Sequence, residues 1–211
     1  MSRRPLDFYP TPPDVVKAVE RWLDSQIYNV GGHWLDPAAG AGALLDAVRR
    51  FASTLSAYEL DQGRRDVLAG RCDSLRMVDA LTLEHWEPGA HVIANPPYNA
   101  LEPFVERLIA HCRQWHTIGM VLTRVQWLDD GKQRHKRFRP DVVLRMPWRI
   151  SFTGDGKTEA TTHVFLVYLP PQACPPLRTS LEWLERPPVS DSAWEAHKAL
   201  AGTVPQLALE L

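Results

Sequence analysis

The chain has 211 residues, 45% of them hydrophobic and 23% charged, and a formal net charge of -1. That length supports one well-packed domain and is too short for two large ones. The near-neutral balance excludes a globally basic, nucleic-acid-coating protein, so any nucleic-acid surface must be a local patch.

The N-terminal MSRRPLDFYP lacks the apolar run of a leader peptide, and no stretch reaches the length of a membrane span. The expected setting is the cytoplasm, with no membrane partner. Cys72, Cys112 and Cys174 form an odd set without a CxxC pair, which argues for reduced thiols over a disulfide or zinc framework. Thr11-Pro12-Pro13-Asp14 predicts a helix start: a capping hydroxyl, prolines in the first turn and a carboxylate near the positive helix end. Val15, Val16, Val19, Trp22 and Leu23 follow as an apolar stripe at helical spacing.

A short strand, His33-Trp34-Leu35, runs into the small-residue loop Asp36-Pro37-Ala38-Ala39-Gly40-Ala41-Gly42; Leu44, Leu45, Val48 and Phe51 then continue at helical period. A second strand ends at Ala57-Tyr58-Glu59-Leu60, and Asp61 caps a short helix reaching Leu68. A third strand ends at Met77-Val78-Asp79, and a fourth, His91-Val92-Ile93-Ala94, runs into Asn95-Pro96-Pro97-Tyr98. Leu101, Phe104, Val105, Leu108, Ile109 and Cys112 draw an amphipathic helix, and residues 118–122, 142–144 and 163–169 read as further strands. Strands alternating with helices predict βαβ units, hence an α/β fold whose mostly parallel sheet is covered on both faces. Past Pro170 the composition turns to Pro171, Pro175 and Pro176, then short pieces bearing Trp183 and Trp194. Residues 1–171 thus read as the main domain and 172–211 as a proline-rich extension packed on it.

In an open α/β sheet, ligands sit at the carboxyl ends of the strands, and three motifs fall there. The loop from Asp36 to Gly42 lets backbone approach a ligand closely and presents helix N–H groups. A nicotinamide-type fingerprint requires a small residue three positions after Gly42, where Leu45 stands. Glu59 and Asp79 each close a strand, where one carboxylate can accept from both hydroxyls of a ribose and the other from an adenine amino group. Asp61 competes for the first role, although capping suits it better. In Asn95-Pro96-Pro97-Tyr98 two prolines give a rigid loop lacking two donors, so its carbonyls and the Asn95 amide oxygen are expected to accept hydrogen bonds. A base amino group is conjugated and a poor nucleophile. Two acceptors gripping its hydrogens favour a tetrahedral nitrogen and aim its lone pair at an electrophilic methyl group. Tyr98 can stack on an extruded base.

The ordered set DFYPTP, DPAAGAG, AYELD, VDAL and NPPY resembles the amino-group DNA methyltransferases, in particular the small phage or prophage type of N6-adenine enzyme, over residues 7–169. The resemblance implies a Rossmann-like, seven-stranded sheet with an antiparallel last strand, S-adenosyl-L-methionine as cofactor and no metal. The setting it implies is a bacterial or phage-infected cell. By resemblance, Tyr9, Thr11 and Pro12 border the methionine end of the cofactor, and Asp36, Ala38, Gly40 and Gly42 line its methionine and ribose. Glu59, with Leu60, holds the ribose, and Asp79, with Ala80, the adenine. Asn95 and the Pro96 carbonyl grip the target amine in the loop stiffened by Pro97, and Tyr98 lies against the base. Phe104 is open between the cofactor adenine and the core. Residues 149–152 and 163–168 resemble the family's last sheet segments.

Large members of that family carry a separate target-recognition domain, for which this chain has no room. An accessory specificity partner is one way to supply it. Lys132, Arg134, His135, Lys136, Arg137 and Arg139 offer instead a cationic cluster able to bind phosphates without reading sequence, with a solvated basic face as the plain alternative. DNA is the expected partner. RNA-base and protein-glutamine methyltransferases also use NPPY and stay open as alternatives, although DPAAGAG leans toward nucleic acid. Pro140-Asp141 with Asp155-Gly156-Lys157 loosely fits a magnesium nuclease, but Gly154 and Gly156 make the second half a turn. GDGKT imitates a phosphate-binding loop with Ser151 where its first glycine belongs. A SAM-binding module without catalysis is the remaining rival.

Overall fold

The computed structural model describes residues 9–26, 30–129, 132–155, 157–171 and 179–202. Asp7 and Phe8 of DFYPTP, Cys174, Gly156 and the prolines at 175 and 176 lie outside the described residues. Helix α1 (Pro13–Asp24) precedes β1 (Gly32–Asp36), α2 (Ala43–Val48), β2 (Ala52–Glu59), α3 (Arg65–Ala69) and β3 (Ser74–Met77). Then follow β4 (His91–Ala94), α4 (Leu101–Trp115), β5 (Gly119–Arg124), α5 (Gln126–Asp129) and α6 (Arg134–Arg137). Strands β6 (Val142–Arg145), β7 (His163–Tyr168) and β8 (Ser180–Trp183) and helix α7 (Asp191–Gly202) complete the order.

The strands form one eight-stranded sheet in the order β3-β2-β1-β4-β5-β7-β6-β8. From β1 the chain winds outward through β2 to β3, then crosses to the other side of β1 to lay down β4 and β5. The reversal leaves a crevice at the carboxyl ends of β1 and β4, where ligands bind in such sheets. Strand β7 runs antiparallel to both neighbours, β5 and β6, as the resemblance implies for the last strand. The sheet exceeds the expected seven strands by one: β8, in the proline-rich tail, pairs parallel with β6 at the edge.

Each face of the sheet buries an apolar cluster. One gathers α1 and α2 residues such as Val15, Val19, Leu44 and Leu45 around Trp34 and Phe165; the other packs Leu101, Val105 and Leu108 of α4 against Leu35, Val92 and Val121. Contact between α4 and β5 is close enough that a Cβ added at Gly119 would stand 2.5 Å from Leu108 and 2.6 Å from Cys112. Helix α4 stops where His116 takes a left-handed conformation, φ 54°.

Three local expectations are corrected. Thr11 does not cap α1: Pro12 occupies that position without a side-chain bond, and the Thr11 hydroxyl turns toward Asn95. Residues 149–152 are not a strand, because β6 ends at Arg145 and Pro147, which has no N–H for a ladder, follows; Ile150 and Phe152 are buried in the connection to β7. Strand β5 runs on to Arg124, two residues beyond the predicted end. The tail is tied to the rest by Arg186 to Asp14, 3.0 Å, and by His197 Nε2 to the Phe152 carbonyl, 3.1 Å. Among the described residues no helix is long and apolar enough to cross a membrane.

Candidate active site

At the crevice lies a cleft of about 360 Å3, lined by the loops after β1, β2, β3 and β4 and by the segment leading into α1. Asp36 closes β1 and is buried, its Oδ1 accepting the Ala38 N–H at 3.0 Å. Burial pushes its carboxyl up to about 8; the Ala38 bond opposes the rise and the nearby Glu59 charge adds to it. The loop then turns through Gly40 (φ 56°) and Gly42 (φ 81°), both in the left-handed region that favours glycine. A side chain at Gly42 would also meet Arg71 at 3.0 Å and Leu68 at 3.2 Å.

Glu59 latches this loop to β2. Its Oε2 accepts the Gly40 N–H and its Oε1 the Asp61 N–H, each at 2.7 Å. Burial raises its pKa, and these two bonds counter the shift. A carboxylate offers about four acceptor positions, so about two remain for a ligand's hydroxyls. Asp61 caps the following turn by accepting from Gly63, as its spacing predicts. Asp79 accepts the Leu81 N–H at 2.9 Å with Oδ1.

Across the cleft, the Asn95 amide is oriented from a distance. Its Nδ2 donates to the Tyr9 carbonyl at 2.9 Å and to the Thr11 hydroxyl at 3.2 Å, which uses both amide hydrogens and leaves Oδ1 as the acceptor of a residue that lines the cleft. The two proline carbonyls differ. That of Pro97 accepts from Ala100 at 3.0 Å, which takes one of its two lone pairs, whereas that of Pro96 has no such bond among the described residues.

Of the residues expected to hold cofactor, Tyr9, Thr11, Asp36, Ala38, Gly40, Glu59, Leu60, Asp79, Ala80 and Asn95 line the cleft; Phe104 also reaches it. Pro12 starts α1 and Gly42 starts α2, both behind the lining. Tyr98 stands beside the cleft in an environment the motif did not reveal. Its hydroxyl lies 2.9 Å from His163 Nε2, and the Arg124 guanidinium sits over its ring, 4.6 Å from the centroid. Tyr9 and Phe152 extend the aromatic surface. Burial, and then the Arg124 charge, push the His163 imidazole down to about 4. Arg124, Phe152 and His163 were overlooked as site side chains; a cation or imidazole at the strand ends facing NPPY is the signal that could have marked them.

The basic segment divides. Arg134 is buried, bonded to Glu102 through Nε (3.1 Å) and Nη2 (2.8 Å), with its guanidinium over Trp127. Arg137 is paired with Glu102 and Glu106. The structure thus makes Arg134 a packing residue rather than a phosphate contact, while Lys132, His135, Lys136 and Arg139 are exposed. Among the described residues no group of three or more His, Cys, Asp or Glu side chains could hold a metal ion. Asp141, the first acid of the nuclease-like pattern, accepts from the Leu169 N–H at 2.8 Å, and Asp155 lies in an exposed turn.

Comparison with solved structures settles the fold. A Pyrococcus horikoshii protein assigned as an RNA methyltransferase superposes with a TM-score of 0.62 at 18% identity, over 78% of this chain and 88% of that one. This is the class I methyltransferase fold. A dimethyladenosine transferase from Plasmodium falciparum gives 0.56 at 14% identity over 79% of this chain and 64% of its own, and the 23S rRNA methyltransferase ErmE gives 0.51 at 11% over 92% and 78%. In sequence, the ribosomal RNA small subunit methyltransferase A of Thermotoga maritima is 29% identical over 100 residues, 45% of this chain. The match spans only 33% of that relative's length. No family model matches the chain.

Proposed function

We propose that the chain is an S-adenosylmethionine-dependent methyltransferase acting on the exocyclic amino group of adenine in a polynucleotide. The observation that carries this reading is the Asn95 amide, locked by Tyr9 and Thr11 with its oxygen left as an acceptor at the cleft. The cleft fits the cofactor: a glycine turn at the first strand, then carboxylates at the ends of the second and third with acceptor capacity remaining. Asp36, Ala38 and Gly40 would hold the methionine and ribose end, Glu59 the ribose, and Asp79 the adenine amine, with Phe104 beside its ring. When bound, the cofactor supplies an electrophilic methyl group.

The chain's own residues prepare the nucleophile. Asn95 Oδ1 and the Pro96 carbonyl accept the two amine hydrogens, which draws the nitrogen lone pair out of conjugation. Because Tyr9 and Thr11 hold the amide before the base arrives, little reorganisation is left for the reaction itself. Tyr98 supports the base, and His163, neutral near pH 7, fixes the tyrosine hydroxyl.

The Thermotoga maritima relative and ErmE are named for ribosomal RNA, and the Plasmodium falciparum neighbour is a dimethyladenosine transferase. They support RNA as the polynucleotide and reverse the preference for DNA drawn from the motif set. The phage or prophage motif resemblance supports DNA as the second reading. Incubation with methyl-labelled cofactor and matched RNA, DNA and protein, followed by mass spectrometry of the hydrolysed products, tests the assignment. N6-methylated adenosine from RNA is the expected product; N6-methyldeoxyadenosine alone would return the substrate to DNA, and methylglutamine would overturn the reading.

A further inference from the structure

At the cofactor side of the cleft the carboxylates already have backbone partners: Asp36, Glu59 and Asp79 each accept backbone N–H groups. The target side differs. Around the carboxyl end of β5, Arg124 Nε and the hydroxyls of Thr123, Ser151 and Thr161 are buried without a hydrogen-bond partner among the described residues. These atoms belong to neighbouring chain segments. Thr123 precedes Arg124; Thr161 stands two residues before His163, which pairs with Arg124 across β5 and β7. Ser151 follows Ile150, whose carbonyl accepts from Glu159, the ion partner of Arg124. Buried polar groups in native proteins are overwhelmingly paired, and of these atoms Arg124 Nε belongs to the side chain that lies on Tyr98, where it calls for a ligand that accepts.

Arg124 is the charged member. A guanidinium carries five N–H donors and no acceptor. Here Nη2 reaches Glu159 at 3.4 Å, a long contact for an ion pair, and Nε has no partner. The guanidinium rests instead on the face of Tyr98, and its side chain is 41% exposed. A base stacking on that face must displace it, and the same nucleotide delivers a phosphate, an anion whose oxygens match the fork of an arginine.

We infer that Arg124 holds a phosphate of the strand carrying the target adenine, leaving the Tyr98 ring as the base takes its place. This assignment rests on the polynucleotide reading and adds to it a residue outside the NPPY loop and outside the basic segment.

The test is the salt dependence of binding, by fluorescence anisotropy, of a short fluorescein-labelled single-stranded RNA to wild type, Arg124→Gln and Arg113→Gln. Arg113 is an exposed residue in the last turn of α4, at the end away from the NPPY loop. Loss of one phosphate contact lowers the slope of log affinity against log salt by about 0.7, and Arg124→Gln is expected to show that drop with several-fold weaker binding. Arg113→Gln is expected to leave both unchanged. An unaltered slope and affinity in folded Arg124→Gln overturns the assignment. Should that variant not fold, Arg124→Lys keeps the charge and the slope but lacks the fork, so affinity still falls several-fold; binding as tight as wild type then overturns it. A wild type that binds with this arginine-dependent slope yet transfers no methyl group contradicts the proposed reaction and leaves the Arg124 assignment standing.

Discussion

Asn95 and Thr11 stand 84 residues apart in the chain and meet across the cleft, Nδ2 to Oγ1 at 3.2 Å. With the Tyr9 carbonyl, Thr11 decides which end of the amide faces a substrate. Thr11→Val keeps the shape and removes the acceptor. A neutral hydrogen bond contributes about 0.5–1.5 kcal/mol, so turnover is expected to fall about 2- to 12-fold with cofactor affinity nearly unchanged. Steady-state kinetics with calorimetry checks this; a loss confined to cofactor binding would place Thr11 elsewhere in the mechanism.

Glu59 latches the Gly40 loop and, in the proposed function, also holds the ribose. Glu59→Ala removes both the two 2.7 Å bonds to backbone and the acceptors facing the ligand. Charge-assisted bonds contribute about 1.5–3 kcal/mol, so cofactor affinity is expected to fall about 10- to 150-fold. Melting of the cofactor-free protein should also shift downward, because the Gly40 and Asp61 N–H groups lose their partner. Unchanged calorimetric affinity would remove Glu59 from the ribose.

Asp36 gives the site a pH dependence of known sign. Its carboxyl titrates near 8 against an ordinary 3.8, so between these values the folded protein keeps a proton that the unfolded chain has lost. Its contribution to the stability of the cofactor-free protein is therefore complete below about 4 and lost as pH rises through about 8. The cofactor is cationic at its sulfonium and ammonium groups and favours the ionised carboxylate. Affinity should thus rise with pH up to about 8, and binding at neutral pH should release a proton. Calorimetry in buffers of different ionisation enthalpy detects the release, and Asp36→Asn should abolish it; buffer-independent heats for wild type would refute the coupling.

The basic segment should separate into fold and surface. Arg134→Ala removes two bonds to Glu102, leaving Arg137 as that carboxylate's ion partner, and uncovers Trp127, and is expected to destabilise by about 1–3 kcal/mol, lowering Tm by several degrees. Lys136→Glu with Arg139→Glu should leave Tm within a degree or two and weaken strand binding at all sequences. Equal melting in Arg134→Ala and wild type would contradict the packing role.

What could be read in advance follows from the range of the interactions. The small-residue loop, the acids at strand ends and NPPY announce themselves because their chemistry lies within a few consecutive residues, and Asp36 to Ala41, Glu59, Asp79, Asn95 and Pro97 line the cleft. At Thr11 a hydroxyl before a proline-led helix fits the local capping rule, while its actual partner is distant in sequence. Arg134 looked equivalent to Lys136 until the fold brought Glu102, 32 residues away, beneath it. Strand β8 was hidden because it is only four residues long and its alternating apolar side chains, Leu181 and Trp183, are exposed and seat on no core; its pairing with the edge of β6 makes it a strand. Arg124 lay two residues past the predicted end of β5, where no motif pointed.

The central claim is that Asn95 activates a base amine, and single-turnover methyl transfer at saturating cofactor tests it most directly. Wild type should convert adenosine in RNA to its N6-methylated form. Asn95→Ala should do so about 100-fold more slowly with the cofactor Kd unchanged, since an acceptor acting mainly in the transition state is lost from the rate. An Asn95→Ala protein that transfers methyl at the wild-type rate, or whose only defect is weaker cofactor binding, would contradict the account.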